Sequence, residues 1–382
     1  MKEFKVAVIA CGFTGSQHVE AVRRIPGTKI VALVDYNLEA LTEKAQILGV
    51  DKIFTDYKEM IKTVKPDVIH NCTPNGMHFE INKYALEHGV HVYCEKPLAV
   101  TIEQGTELAE LAKKHRLACA VNFNYRNNAI VQEMRARVKN GDAGRIFHVT
   151  GQYLQDWMML DTDYNWRLTE KDGGKSRAIA DIGSHCFDTA QYATGKKITE
   201  VYAKLFTTFK HRKKPLAEVE TFKTTQNENF ESVSINSEDG AFIMVRFEDD
   251  ILGQFTISQV DAGHKNDLRL EIAAECCSME WRQENADILR IGTRSNGTIK
   301  LPAAPDFMHK DAMRYASLPA GHSVAWSDAF RNGIAEFYSA LRNESFHNSE
   351  QSYATFDDGC YIMKLVDACM ESNAHNVWVK IV

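Results

Sequence analysis

Through the first third of the chain, short runs of β-branched and apolar residues alternate with segments whose apolar positions recur every three or four residues. Runs of the first kind, at Lys5–Ile9, Lys29–Val34, Val68–Cys72, His91–Cys94 and Ala118–Asn122, predict strands buried on both faces. The intervening segments Ser16–Arg24, Leu38–Leu48, Tyr57–Thr63, Phe79–His88 and Ile102–His115 predict helices. That alternation is the pattern of βαβ units on a parallel sheet. Pro66, Pro74 and Pro97 fall at element edges, where a missing N–H leaves no gap in a ladder.

After Asn122 the pattern changes. Helical segments are predicted at Ala129–Asn140 and Ala180–Ala193, with a strand at Arg145–Tyr153 between them. From Ile198 to Leu301 the chain reads mainly as strands, among them Phe242–Phe247, Ile251–Gln259 and Leu268–Ala274. Two helices, Val324–Leu341 and Phe356–Glu371, follow. A strand-rich run flanked by helices predicts an open sheet with helices packed on one face. The stretch Ala303–Pro319 has no clear period and is expected to be an ordered loop over a cleft or an interface. The expected architecture is α/β: a doubly wound parallel sheet over residues 1–123 and a second α/β domain over 124–382.

Composition narrows the function classes. A chain of 382 residues is long for a single core. With 44% hydrophobic and 25% charged residues it is an ordinary globular protein. A net charge of −6 gives no electrostatic case for nucleic acid, and the basic run Lys210–Lys214 before Pro215 reads as a solvated loop. The nine cysteines are odd in number and form no Cys-x-x-Cys pair, which fits reduced thiols in the cytoplasm. The apolar segment Phe4–Ala10 runs straight into a glycine turn, unlike a signal peptide, and no apolar run is long enough to span a bilayer.

Chemistry enters at the end of the first strand. Ala10-Cys11-Gly12-Phe13-Thr14-Gly15 is a near match to G-x-G-x-x-G, with Ala10 in the first glycine position. The motif lets backbone approach a pyrophosphate and presents it to a helix N-terminus. Gly12 is expected to allow that approach and Gly15 to let helix and strand pack closely, while Ala10 is expected to hold an ordinary backbone conformation. Asp35 closes the second strand about 20 residues after Gly15, where a carboxylate accepts from ribose hydroxyls; a helix N-cap or turn carboxylate is the plainer alternative. It would repel a 2′-phosphate, and no arginine follows in Tyr36-Asn37-Leu38, so NAD is favoured over NADP.

Two further groups carry candidate catalysis. The fifth strand ends in Glu95-Lys96-Pro97, which aims Lys96 beyond the carboxyl edge of the sheet; a surface lysine paired with Glu95 is the plainer alternative. Asp181-Ile182-Gly183-Ser184-His185 places Asp181 and His185 one helical turn apart, with Asp188 further along. Histidine is suited to accept a proton from an alcohol near neutral pH, and a helix-start aspartate with a core histidine is the plainer alternative. Gly173 and Gly174 upstream and Gly183 within favour a close backbone approach. A zinc site at His185 and Cys186 is not expected, because adjacent helix residues diverge and no second histidine stands at ligand spacing.

These residues together resemble the family of glucose–fructose oxidoreductases and inositol dehydrogenases (Gfo/Idh/MocA). The matching pieces are Ala10–Gly15 with His18, Asp35, Cys72-Thr73-Pro74-Asn75 with His78, Glu95-Lys96-Pro97, and Asp181–His185, spread over about half the chain. The resemblance implies an N-terminal Rossmann domain and a C-terminal domain with a large, mostly antiparallel sheet that binds substrate and forms oligomers. It implies Lys96, Asp181 and His185 as the catalytic set. It also implies cofactor contacts from Ala10, Gly12, Phe13, Thr14, Gly15, Asp35, Thr73, Asn75, His78, Glu95 and Lys96.

The stretch from Tyr153 to Arg167 mixes aromatic rings with hydrogen-bonding groups, as a sugar site requires. Trp166 and Arg167, then Tyr153, Gln155 and Asp156, are the expected substrate contacts beside Lys96, Asp181 and His185. Arg126 and His322 are weaker candidates, with a domain-hinge contact and a helix-entry residue as their plain alternatives. The expected activity is NAD-dependent oxidation of a secondary hydroxyl on a cyclic polyol or sugar by a homodimer or homotetramer. A glycosidase that recycles bound NAD on the same scaffold, and a non-catalytic NAD- or sugar-sensing protein, are the alternative readings.

Overall fold

The computed structural model describes residues 3–215, 230–348 and 350–382. The chain forms two compact units: residues 1–127 with 327–361, and residues 128–326 with 362–382. A single boundary at 123/124 makes no provision for 327–361, which returns to the first unit. No described helix is long and apolar enough to cross a membrane.

In the first unit, six parallel strands alternate with helices. They are β1 (Phe4–Ile9), β2 (Thr28–Val34), β3 (Ile53–Phe54), β4 (Val68–Asn71), β5 (His91–Cys94) and β6 (Cys119–Val121). The helices are α1 (Phe13–Arg23), α2 (Leu38–Ile47), α3 (Tyr57–Val64), α4 (His78–Glu87) and α5 (Ile102–His115). The sheet order is β3-β2-β1-β4-β5-β6, the doubly wound order expected of a Rossmann domain. A short antiparallel strand, Ala354–Thr355, closes the β6 edge. Val8, Leu33, Val19 and Leu41 are nearly wholly buried between the sheet and its helices, which is why these strands read as continuous apolar runs. Because strand order reverses between β1 and β4, the loops after these strands flank the crevice where such sheets bind ligands.

The second unit opens with α6 (Ala129–Lys139), β7 (Ile146–Leu154), the short α7 (Glu170–Gly173) and α8 (Ser184–Thr194). The strands β8 (Ile198–Phe206), β9 (His211–Pro215), β10 (Phe230–Ser234), β11 (Gly240–Phe247) and β12 (Leu252–Ser258) follow. Then come β13 (Asp267–Ala274), β14 (Ser278–Arg282), β15 (Ile288–Thr293) and β16 (Gly297–Pro302). Nine strands form one sheet in the order β16-β15-β14-β13-β7-β12-β11-β8 followed by Val379–Lys380. Every pairing in it is antiparallel except β7 with β12.

Register sorts the two faces of this sheet. Ala241, Ile243, Val245, Phe255, Leu270 and Trp281 are buried on one face, against which α6 and α8 pack. On the other, Phe242 and Met244 stand opposite Thr256 and Gln254, and Arg246 opposite Leu252. Phe242, Met244 and Leu252 are 58%, 47% and 51% exposed, so this face is open. Among the described residues helices pack on one face only, the arrangement the strand-rich run predicts.

Two expectations need correcting here. Lys210–Lys214 is not a solvated loop: His211–Pro215 is a strand paired with β10, and Arg212 is buried against Asp239. The predicted helix Ala180–Ala193 is in two parts, a π-helical turn at Ile179–Gly183 and then α8. Its entry is held by Glu238, whose Oε1 accepts from Ser176 Oγ (2.7 Å), Arg177 N (3.0 Å) and Ile179 N (2.9 Å). Arg177 and Arg212 both pair with Asp239, and all three side chains are fully buried. This network spends four charged groups on the approach to Asp181, and π turns of this kind recur at functional sites. The segment Ala303–Pro319 is ordered as expected, with Tyr315 and Ala312 buried and His309 N bonded to Glu133 on α6 at 2.7 Å.

Candidate functional site

The first unit gathers the predicted cofactor residues at the carboxyl ends of its strands. Helix α1 begins at Phe13, three residues before the predicted start, with Gly12 as an N-cap that no side chain satisfies. A side chain added at Gly12 would meet nothing within 4 Å, so open space lies over the helix N-terminus. Gly15 is buried, and a β-carbon there would lie 1.9 Å from the carbonyl oxygen of Ala10. Ala10, expected in an ordinary conformation, has φ 68°. The turn needs the left-handed region whichever residue fills it, and alanine bears the steric cost that glycine would avoid. Uncapped helix N–H groups beside open space fit a pyrophosphate.

Asp35 follows β2, and its Oδ2 accepts from Cys11 N at 2.9 Å, tying the strand end to the glycine turn. Burial, then the Asp35 charge, push the Cys11 thiol up to about 12, so it stays protonated. Thr73 Oγ1 donates to Asn71 Oδ1 at 2.7 Å, and Asn75 opens a short 3-10 turn leading into α4.

Two predicted cofactor contacts turn inward instead. His78 is fully buried, its ring nitrogens 2.7 Å from Pro97 O and 2.8 Å from Thr73 O, and it packs between the loops after β4 and β5. Burial lowers its pKa, outweighing those two carbonyls. Glu95 accepts from His18 Nε2 (3.1 Å), Asn122 Nδ2 (2.7 Å) and the Lys96 amide (3.2 Å). Burial raises the Glu95 pKa, but the bonds from His18 and Asn122 and the Lys96 charge prevail and hold it below the usual range. The carboxylate thus braces the backbone that carries Lys96, which a cis peptide joins to Pro97.

Behind Glu95 lies a chain that the sequence reading missed. His18 Nδ1 is 2.7 Å from His70 Nδ1, and His70 Nε2 is 3.0 Å from the hydroxyl of Tyr338. Both histidines are fully buried. The available signal was a histidine inside the apolar run Val68–Cys72, where an unpaired ring would be costly. Arg126, 5% exposed, pairs with Asp358 at 3.4 Å within the same unit.

In the second unit Arg167 and Gln259 meet at Asp181. Arg167 Nε lies 3.4 Å from Asp181 Oδ1, with its guanidinium 4.3 Å from the Trp166 ring centre and 5.8 Å from that of Trp157. Gly173 abuts the Arg167 carbonyl so closely that a β-carbon would lie 2.3 Å from it. That glycine therefore fixes the turn bearing Arg167. Gln259, absent from the predictions, donates Nε2 to Asp181 Oδ2 at 2.9 Å. His185 is 7% exposed, and its ring centre lies 6.3 Å from that of Tyr153.

The other predicted substrate contacts are already engaged. Tyr153 is 3% exposed and bonds Asn266, and Gln155 accepts from Trp157 Nε1 at 2.8 Å. Asp156 takes Lys265 at 2.6 Å and Gly263 N at 3.2 Å. Desolvation raises its pKa, and those bonds outweigh it and hold the carboxyl below its ordinary value. His322 is exposed, bonded to the Pro319 carbonyl at 3.2 Å. His264, Asp267 and Glu284 could group around a metal, but Arg282 already holds Asp267 at 2.7 Å.

Comparison with known proteins agrees with this layout. Residues 4–123 match the oxidoreductase family model with an NAD-binding Rossmann fold, and residues 131–280 match the GFO/IDH/MocA C-terminal domain. Levoglucosan dehydrogenase of Pseudarthrobacter phenanthrenivorans is 26% identical over 395 residues, covering 100% of this chain and 99% of its own. D-glucoside 3-dehydrogenase of Escherichia coli is 33% identical over 193 residues, 50% of this chain and 54% of its own. The structure of levoglucosan dehydrogenase with NADH and L-sorbose superposes with a TM-score of 0.88 at 25% identity, covering 100% of both chains.

Proposed function

This chain belongs to the GFO/IDH/MocA family of NAD-binding oxidoreductases, and from that premise we propose that it oxidises a secondary hydroxyl of a cyclic sugar or polyol to a ketone or lactone. The observation that carries the reading is the set of groups around Asp181: a carboxylate held by Gln259 and Arg167, beside the stacked face of Trp166. Hydroxylated rings need that mixture of fixed hydrogen-bonding groups and flat apolar surface. Relatives whose names state a sugar substrate support it.

The roles are assigned residue by residue. The N-terminus of α1 would hold NAD with Asp35 toward its ribose, and the cofactor would supply the hydride acceptor. His185 takes the hydroxyl proton as the C–H bond breaks, and Asp181 orients the substrate and stabilises the imidazolium. Lys96 donates to the reacting oxygen and favours its deprotonation. Thr73 and Asn75 are assigned to the cofactor, and Trp166 and Arg167 to the substrate.

The nine free thiols support a reducing, cytoplasmic setting. The open sheet face bearing Phe242, Met244 and Leu252 is assigned to a homodimer or homotetramer contact.

The test is reduced-nicotinamide absorbance on incubation with NAD, or separately NADP, against inositols, aldoses, anhydrosugars and glycosides. A signal with NAD and one sugar class is expected. Release of sugar from glycosides with no net cofactor reduction would overturn this reading in favour of a glycosidase, and silence across the panel would overturn it altogether.

A further inference from the structure

Gln259 follows β12 directly and is fully buried. Its Nε2 meets Asp181 Oδ2 at 2.9 Å. An ionised carboxylate only accepts, so the NH2 end of the amide must face it, and the carbonyl end faces away. That Oε1 is buried and has no hydrogen-bond partner among the described residues. A buried carbonyl without a donor has forfeited its bonds to water and gained nothing, and in a folded protein such an atom calls for an explanation.

Arg167 carries the complementary valence. Its Nε lies at the other oxygen of Asp181, its guanidinium lies over the Trp166 ring, and its Nη1 is buried with no partner among the described residues. Asp181 is thus flanked by one unpaired acceptor and one unpaired donor. A hydroxyl group satisfies either, since it donates and accepts. A carboxylate or phosphate would face Asp181 and the Gln259 carbonyl, and the Arg167 charge is already partnered.

We propose that Gln259 is a specificity-determining residue, whose carbonyl accepts from a substrate hydroxyl other than the one oxidised while its NH2 group fixes Asp181. The substrate class is therefore a neutral polyhydroxylated ring and not a sugar phosphate or sugar acid. This inference rests on the sugar-oxidation reading above.

Gln259→Leu removes both contacts, and Gln259→Glu keeps the shape but sets a second carboxyl against Asp181. The probes are levoglucosan, myo-inositol, methyl α-D-glucopyranoside and its monodeoxy analogues, and glucose 6-phosphate. Each is read by NADH formation and by quenching of tryptophan fluorescence on sugar binding. In the native protein one monodeoxy analogue should lose about 10- to 100-fold in kcat/KM, and glucose 6-phosphate should be a poorer substrate than the neutral sugars. Gln259→Leu should bring the ratio of parent to analogue in kcat/KM down toward one, with the loss of the Asp181 contact shared by every substrate. An equal loss on the parent and every analogue would overturn the hydroxyl-reading role, and preference for glucose 6-phosphate would overturn the neutral class.

Should Gln259→Leu fail to fold, Gln259→Glu decides. Two carboxyls sharing a proton should move the acid limb of the kcat/KM profile up by about one pH unit or more. An unmoved limb would overturn the contact with Asp181. If the native protein makes no NADH but shows saturable quenching that discriminates the analogue, and Gln259→Leu abolishes this, the oxidation reading fails and Gln259 keeps its role. No turnover and no binding overturns both.

Discussion

His18 and His70 face each other through their Nδ1 atoms at 2.7 Å, both rings fully buried. Two lone pairs cannot occupy that gap, so one ring carries the hydrogen. His70 is held neutral, so one of its ring nitrogens donates and the other accepts between His18 and Tyr338. Tyr338→Phe removes one of those partners and leaves His70 Nε2 buried and unmet. We expect a loss of about 1–3 kcal/mol in urea unfolding. Unchanged stability would show that the hydroxyl is not part of the chain.

The same chain predicts how stability depends on pH. Burial, then the His18 charge, hold the His70 pKa well below its ordinary value, and burial lowers that of His78. A histidine depressed in the folded state takes up protons first in the unfolded state. Its contribution is therefore complete above about pH 6.5 and declines as the pH falls below that value. The urea midpoint should hold from pH 8 to 6.5 and then fall toward pH 5, before most carboxylates titrate. His70→Asn should flatten part of that slope. A midpoint that rises toward pH 5 would contradict a neutral His70 and His78.

At the glycine turn, two substitutions should act oppositely. Ala10→Gly relieves a left-handed conformation costing about 1–2 kcal/mol, against about 0.5–1 kcal/mol of added chain entropy, and should raise the thermal midpoint slightly. Gly15→Ala drives a methyl group into the Ala10 carbonyl and should weaken NADH binding at least about tenfold by displacing the N-terminus of α1. NADH fluorescence titration of both proteins tests this, and equal affinities would remove the turn from the cofactor site.

Asp35→Ser should weaken NADH binding by about tenfold and narrow the preference over NADPH, because the carboxylate that accepts from the ribose and repels a 2′-phosphate is gone. Parallel titrations with the two reduced cofactors read the ratio. An unchanged ratio would take Asp35 out of cofactor choice.

Lys96→Ala and His185→Ala should each lower kcat by about 10²–10⁴-fold while NADH affinity stays within about twofold. Near-native turnover in either variant would refute its assigned role.

The parallel strands of the first unit were legible because each is buried on both faces and reads as an unbroken apolar run, and Gly12, Gly15 and Asp35 lie at fixed offsets from strand ends. Asp181 and His185 stand out in the sequence by their spacing and surrounding motif, and the roles given to them are part of the proposal. Three things were not legible. Gln259 stands at the end of a predicted strand and acquires meaning only because the β12 turn brings it to Asp181. Arg212 looked solvated within a basic run because its partner, Asp239, lies in a different hairpin. His78 and Glu95 carry motif positions that suggest ligand contact, yet their partners are backbone and side chains of neighbouring strand ends. Long-range pairing of buried polar groups leaves no period in the sequence.

Residues 327–361 belong to the same compact unit as residues 1–127. Tyr338, which completes the His70 chain, and Ala354–Thr355, which covers the β6 edge, are thus made long after the strands they complete. During synthesis the cofactor unit leaves the ribosome with an open sheet edge and an unfinished polar core, and it must wait for most of the second unit to be translated. A ribosome stalled near residue 326 would hold a first unit that has all six parallel strands and still cannot close.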